Sequence, residues 1–82
     1  MARARAHIPE SLSGLLRADW EAVIEQANLG KENTRIARMY YLDAVPQIEI
    51  GEAVGLTRTA VSKRLSGILY KLERTARKMN LC

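Results

Sequence analysis

The sequence is poor in the features that stabilise secreted proteins and membrane proteins. It has one cysteine, Cys82, so no disulfide can form within the chain and no cluster of thiolates can hold a metal ion. Its longest apolar runs are a few residues, whereas a helix that crosses a bilayer needs about 20. The N-terminal residues lack the apolar core of a signal peptide. A cytoplasmic location is therefore the default expectation.

Residue patterns that carry catalysis are also missing. The single histidine, His7, lies near the N-terminus, and no serine–histidine–aspartate, cysteine–histidine or paired-carboxylate arrangement is recognisable. There is no glycine-rich phosphate loop. We therefore expect a protein that is not an enzyme and that needs no metal or other cofactor, and no small-molecule substrate is evident.

The balance of residue types is that of a folded globular protein. Hydrophobic residues make up 48% and charged residues 27% of the sequence, which argues against disorder. Its 82 residues suffice for one domain with a small core. We expect a flexible basic arm over residues 1–8, which carries Arg3 and Arg5, and a single domain over residues 9–82.

Charge is distributed unevenly along the chain, although the net charge is only +4. Residues 8–56 carry eight acidic and four basic side chains, whereas residues 57–82 carry seven basic side chains and one acidic side chain. A basic segment on a slightly acidic body favours a polyanionic partner such as nucleic acid. A solvated helix face rich in lysine and arginine gives the same pattern, so charge alone leaves both interpretations open.

Apolar residues recur at three- and four-residue steps over most of the chain, without the alternation typical of strands. This spacing predicts an all-α fold of four to five helices. The first helical region is expected from Pro9 to the segment 28–30, as one helix or as two with a cap at Asp19, and Gly30 suits its end. A second helix is expected to begin with Asn33 as its N-cap and to stop near residues 43–45, before Pro46.

The third and fourth predicted helices form a helix–turn–helix over about residues 46–66. The third runs from Pro46 to about Val54, and its core-facing residues are expected to be Ile50, Ala53 and Val54. The fourth begins after Thr57 as N-cap and runs to about residue 79. The turn and the packing between the helices are assigned to four residues: Gly51, Gly55, Leu56 and Val61. Gly55 supplies a positive φ, and the missing Cβ of Gly51 lets the next helix approach closely.

The exposed side of the fourth helix is polar and contains no acid. Arg58, Thr59, Ser62, Lys63 and Ser66 are spaced to share one helical face, and Thr57 precedes them as the N-cap. Arginine and lysine can donate to guanine O6 and N7, and serine and threonine can reach either kind of base edge. These residues, together with Gln47 at the start of the third helix, are the predicted DNA-binding residues. A plain solvated surface is the alternative.

The segments "ANLG", "DAVPQ" and above all "GLTRTAVS" resemble the DNA-binding region of the KorA/TrfB-type transcriptional repressors of conjugative plasmids. The resemblance covers about residues 16–72. It implies a helical protein that binds palindromic operators in double-stranded DNA as a homodimer and represses genes for plasmid maintenance or transfer. It also implies a bacterial location on plasmid or nucleoid DNA. By the resemblance, the recognition helix carries Thr57, Arg58, Thr59, Ser62 and Lys63. Arg64 departs from the small or apolar residue usual at its position.

The segment "ARMYYLDAVPQIEIGEAVGLTRTAVSKRLSGILYKLE" is also similar to the fourth conserved region of bacterial sigma factors and to the output domains of response regulators. That resemblance implies a similar fold. It leaves open an adaptor that binds a protein partner, such as a polymerase or a regulator, rather than operator DNA. An RNA-binding helical module is a further alternative.

A dimer interface is predicted in the C-terminal half of the fourth helix. Leu65, Leu69, Leu72, Ala76 and Met79 follow a four–three spacing, as in a short coiled-coil seam. Since Leu65 is also expected in the core, the predicted interface comprises Leu69, Leu72, Ala76 and Met79. The alternative is that the whole stripe packs within one chain.

Overall fold

The structure, a computed structural model, describes Leu12 and residues 14–81. This part of the chain is all-α and contains no strand, which confirms the predicted fold class. The elements are α1 (Arg17–Gln26), α2 (Lys31–Ala37), a π-helical segment (Arg38–Leu42), α3 (Gln47–Val54) and α4 (Arg58–Lys78). The predicted basic arm with Arg3, Arg5 and His7, the expected helix start at Pro9, and Cys82 lie outside the described residues.

Helix α4 is the element around which the core is built. Its buried side chains are Val61, Leu65, Ile68, Leu72 and Ala76, at steps of four and three that keep them on one side of the helix. They join buried side chains of the other elements: Leu12, Trp20, Val23, Ile24, Leu29, Ile36, Ala37, Tyr40 and Ile50. Each fully buried aliphatic side chain contributes roughly 1.5–3 kcal/mol, so this shared core is the main source of stability.

Helix α1 begins after Leu16 and not at a cap formed by Asp19. The backbone N–H of Leu16 donates to the carboxylate of Asp19 at 3.1 Å, so Asp19 is the third residue of the helix. At the other end, Asn28 takes a left-handed conformation with φ 54°. Gly30 has the positive φ (92°) that glycine permits, but it precedes α2 as its N-cap instead of ending α1.

Helix α2 starts earlier than the sequence predicts, because Gly30 and not Asn33 is the N-cap. Asn33 lies within the helix, where its Oδ1 accepts a hydrogen bond from Arg64 at 3.2 Å. The chain then widens into the π-helical segment, and the N–H of Asp43 donates to the carbonyl of Arg38 at 3.1 Å. The region ends near residue 43, as predicted.

Three aromatic side chains pack together between α1 and the π-helical segment. The ring of Trp20 stacks on that of Tyr41 with 4.9 Å between centroids, and Tyr40 meets Tyr41 edge-on at the same distance. Trp20 and Tyr40 are buried and Tyr41 is half-buried, so the three rings pack as part of the core. Burial, with Tyr40 and Glu73 nearby, raises the pKa of Tyr41 well above its usual value, so this phenol stays neutral.

Helices α3 and α4 begin and end close to the predicted residues. Pro46 is the N-cap of α3, and Met79 is the C-cap of α4. Ile50 is buried and Val54 is half-buried, but Ala53 is exposed, so its predicted core position is wrong. None of the described helices is long and apolar enough to cross a membrane.

Candidate nucleic-acid interface

The turn between α3 and α4 is fixed by local backbone chemistry. Gly55 ends α3 in the left-handed conformation (φ 78°, ψ 30°) that was predicted for it. The N–H of Leu56 donates to the carbonyl of Gly51 at 2.9 Å, and the half-buried side chain of Leu56 packs against the core. Thr57 then caps α4, since its hydroxyl oxygen accepts from the N–H of Ala60 at 3.1 Å. The start of α4 is therefore held in a defined position relative to α3.

Gly51 is required by a close approach of backbone to backbone. A Cβ atom added at Gly51 would overlap the carbonyl oxygen of Leu56 and lie 3.5 Å from the carbonyl carbon of Thr57. The prediction that the missing Cβ of Gly51 permits a close approach is therefore correct. The approaching atoms, however, belong to the turn that leads into α4, and not to the body of that helix.

The predicted DNA-binding residues come together at the start of α4. An open depression of about 500 Å³ is lined by Gln47, Arg58, Thr59, Ser62 and Lys63, and we call it the α3–α4 depression. Its four α4 side chains are exposed, and Gln47 of α3 is half-buried. Thr57 and Ser66 are exposed on the same helix but do not line it. Ser66 instead donates to the carbonyl of Ser62 at 3.4 Å.

The apolar underside of the same helix anchors this polar surface. Val61 and Leu65 lie in the core between exposed positions of α4, as predicted. Because side chains one turn apart point in the same direction, burial of Val61 and Leu65 turns Ser62 and Lys63 outward. The polar surface is thus held by core residues that a ligand would not touch.

The electrostatics of the α3–α4 depression favour an anion. Two cations, Arg58 and Lys63, line it, and no acidic side chain does. The first turn of α4 also contains no acid. The positive end of the helix dipole is therefore not neutralised by a side chain of that turn.

Arg64 makes a contact that sequence reasoning did not find. Its guanidinium donates through Nη1 to the carboxylate of Glu32 and to Oδ1 of Asn33, so it ties α4 to the first turn of α2. These partners lie more than 30 positions away in the sequence, and no local pattern indicates the pairing. The contact directs Arg64 toward α2 and away from the residues of the depression.

The predicted dimer interface needs correction. The side chains of Leu72 and Ala76 are 0% exposed because they are packed in the core of their own chain, so neither is available to a second chain. Leu69 and Met79 are partly buried against the same core. The four–three spacing was a sound indication of an apolar stripe, but such spacing does not tell an intramolecular core from an intermolecular seam.

Metal-binding chemistry is not indicated in the part of the chain that the structure describes. Among these residues, no three histidine, cysteine, aspartate or glutamate side chains form a group that could hold a metal ion. The polar side chains of the α3–α4 depression donate hydrogen bonds or carry positive charge, and none of them is a carboxylate, thiol or imidazole.

Comparison with known proteins adds no relative: no family model, no curated protein and no solved structure matches this chain. What the surface binds must therefore be inferred from its own residues and geometry.

Proposed function

We propose that this protein binds double-stranded DNA in a sequence-specific manner through the N-terminal half of α4, and that it acts as a transcriptional repressor. The observation that carries the proposal is the α3–α4 depression. It joins side chains of two helices into one open surface with two cations and no acid. The tight turn before α4 supports it, since a rigid turn presents the helix start in one orientation.

The chemistry of the depression matches that of base edges in the major groove. An α-helix fits the groove, which is about 12 Å wide. Arg58 and Lys63 can donate to guanine O6 and N7, and Gln47 can pair with the N6 and N7 atoms of adenine. Thr59 and Ser62 are short enough to let the helix backbone come close to the bases. These side chains would supply the choice of sequence.

The affinity would come largely from phosphates. The first turn of α4 carries no acid, and its N-terminus can receive a backbone phosphate through the first N–H groups other than that of Ala60, which donates to the Thr57 hydroxyl. Each phosphate neutralised by a cation releases counterions, so binding should weaken steeply with salt. Phosphate contacts set the position of the protein on the duplex, and the base contacts described above discriminate between sites.

The resemblance to the KorA/TrfB-type repressors supports binding to palindromic plasmid operators as a homodimer. Two-fold DNA sites need two copies of α4, about 34–36 Å apart on one face of the duplex. Leu69 and Met79, which are only partly buried, are the members of the predicted interface that remain available. Sedimentation at micromolar concentration, with wild type and Leu69→Glu, tests this step separately from DNA binding.

A gel shift tests the proposed function directly. Promoter DNA from upstream of the protein's own gene would be compared with random duplex competitor and with an RNA of equal charge. We expect a shifted band that survives excess random duplex, and a protected footprint with two-fold symmetry. Equal affinity for all three nucleic acids would mean that binding is electrostatic and non-specific, which would contradict the proposal.

A helical module that binds a protein is the second candidate, and one observation favours it. Ile48 on α3 and Tyr70 on α4 are large side chains with 60% and 61% of their surface exposed. Aromatic and aliphatic anchors of this kind are common at protein interfaces. Substitution of both by serine should leave operator binding intact if DNA is the ligand, and should abolish partner binding if a polymerase or regulator is.

A further inference from the structure

A second concave surface lies away from the α3–α4 depression, between the C-terminal end of α1 and the C-terminal half of α4. It is an open cleft of about 380 Å³, which we call the α1–α4 cleft. Three cations and three neutral polar side chains line it: Lys71, Arg74, Lys78, Gln26, Asn28 and Thr75. No acidic side chain lines it. Its volume falls in the range of roughly 300–1,000 Å³ that is typical of small-molecule sites.

The cations of the α1–α4 cleft have no carboxylate partner among the described residues. Lys71 and Lys78 make no hydrogen bond or ion pair within the described part of the chain, and neither donates to the carbonyls at the end of α1. Arg74 lies over the exposed ring of Tyr70, 5.7 Å from its centroid, which leaves its N–H groups free to donate. Three like charges are thus held on one side of a helix without a counterion from the part of the chain that the structure describes.

The α1–α4 cleft is separate from the DNA-binding surface. The two surfaces share no lining residue. Lys63 and Arg74 are eleven positions apart on α4, which places them on nearly the same side of the helix but about 16 Å apart along it. The cleft is therefore separated from the depression by its distance along α4, and a small ligand can occupy it without touching the depression.

We propose that the α1–α4 cleft binds a small molecule with at least two phosphate groups, such as a nucleoside diphosphate. Lys71, Arg74 and Lys78 supply three positive charges over about 10 Å of helix, a length that suits adjacent phosphates. The amides of Gln26 and Asn28 and the hydroxyl of Thr75 offer donors and acceptors for the rest of the ligand. This inference concerns a site beyond the proposed function and does not require DNA binding.

Calorimetric titration of the full chain tests this site. The probes are inorganic pyrophosphate, ADP and a short random duplex, in about 0.15 M salt to suppress weak attraction between exposed charges. The cleft variant is Lys71→Gln/Lys78→Gln. The matched control, Arg58→Gln/Lys63→Gln, removes the same number of charges from the α3–α4 depression. Circular dichroism would establish that both variants, whose substitutions are at exposed positions, are folded.

We expect the affinity for pyrophosphate and ADP to fall roughly tenfold or more in the cleft variant and to change less than about twofold in the control. In NMR spectra, the backbone amide chemical shifts that change on addition of ADP should be those of residues 26–28 and 71–79. Three results would overturn the proposal: no heat with either small probe at millimolar concentration, equal losses in both variants, or binding of the duplex alone. A protein that binds ADP in the cleft but no operator would overturn only the DNA-binding function.

Discussion

The two halves of α4 use the same helix for different purposes. In the N-terminal half, Val61 and Leu65 are buried in the core. Exposed side chains of this half form the α3–α4 depression together with Gln47 of α3. In the C-terminal half, Ile68, Leu72 and Ala76 hold the core together. The exposed positions there form the α1–α4 cleft with the end of α1.

The two halves of α4 differ in what fixes their position in the fold. The N-terminal half is positioned by the turn that precedes it together with the buried side chains of Val61 and Leu65, whereas the C-terminal half is positioned by its buried side chains. Substitutions of exposed side chains in the first half should therefore change binding with little effect on folding. Substitutions of buried side chains in the second half should change folding first.

Leu72→Ala should produce the largest effect. The side chain is completely buried, so its truncation should lower the free energy of unfolding by about 2–5 kcal/mol, measured by urea denaturation. Leu69→Ala, in the same half but only partly buried, is the matched control and should cost less. If Leu72→Ala is as stable as wild type but sediments as a monomer where wild type sediments as a dimer, Leu72 would instead lie between two chains.

Gly51→Ala tests the turn that positions the N-terminal half. The new Cβ would overlap the carbonyl oxygen of Leu56, and relief of that overlap should cost on the order of 1–3 kcal/mol of stability. Gly51→Leu should cost more, and operator binding should weaken with either change.

Gly67→Ala is the control for Gly51→Ala, because a Cβ at that position within α4 meets nothing. It should gain up to about 1 kcal/mol from helix propensity. Melting temperatures that fall equally for Gly51→Ala and Gly67→Ala would mean that the turn is not the cause.

Much of this architecture follows from the sequence because it is set by local chemistry. The conformation at Gly55, the cap at Thr57 and the extent of α3 depend on residues that are close neighbours in the chain, and all three predictions are confirmed. The polar surface of α4 could also be predicted, since helix geometry fixes which residues share a face. The lack of a Cβ at Gly51 indicated a close approach, although not which atoms approach.

The remaining features depend on contacts between distant residues. Asn33 has the side chain of an N-cap, yet Gly30 has that role, and Asn33 is bonded to Arg64 instead. Leu72 fits a dimer seam by spacing, yet its side chain is buried in the core of its own chain. The π-helical segment and the left-handed Ala44 (φ 55°) had no sequence signal at all. No local pattern encodes these outcomes.

Arg58→Ala and Lys63→Ala test the surface of the N-terminal half. Each should lose about 1–3 kcal/mol of operator binding if the side chain contacts a base. Stability should stay within about 0.5 kcal/mol, because both side chains are exposed and make no ion pair among the described residues. Fluorescence anisotropy with operator DNA measures the binding.

Arg77→Ala removes an exposed cation from the C-terminal half and serves as the control for these two variants. It should weaken binding much less, and equally for operator and random duplex. If all three variants lose the same amount of operator affinity, the loss depends only on net charge, and the two halves of α4 do not differ in DNA binding.

The smallest effect is expected at Arg64, which joins the N-terminal half of α4 to α2. The side chains of Arg64 and Glu32 are 38% and 48% exposed, so solvent screens their attraction and the pair should contribute only about 0.2–1 kcal/mol. A double-mutant cycle with Arg64→Gln and Glu32→Gln measures this coupling energy, which should shrink as salt is raised. Operator affinity should change less than in Lys63→Ala, because Arg64 is directed toward α2. If Arg64→Gln loses as much operator binding as Lys63→Ala while Glu32→Gln loses none, Arg64 leaves Glu32 to contact DNA, and the surface that reads the operator extends beyond the α3–α4 depression.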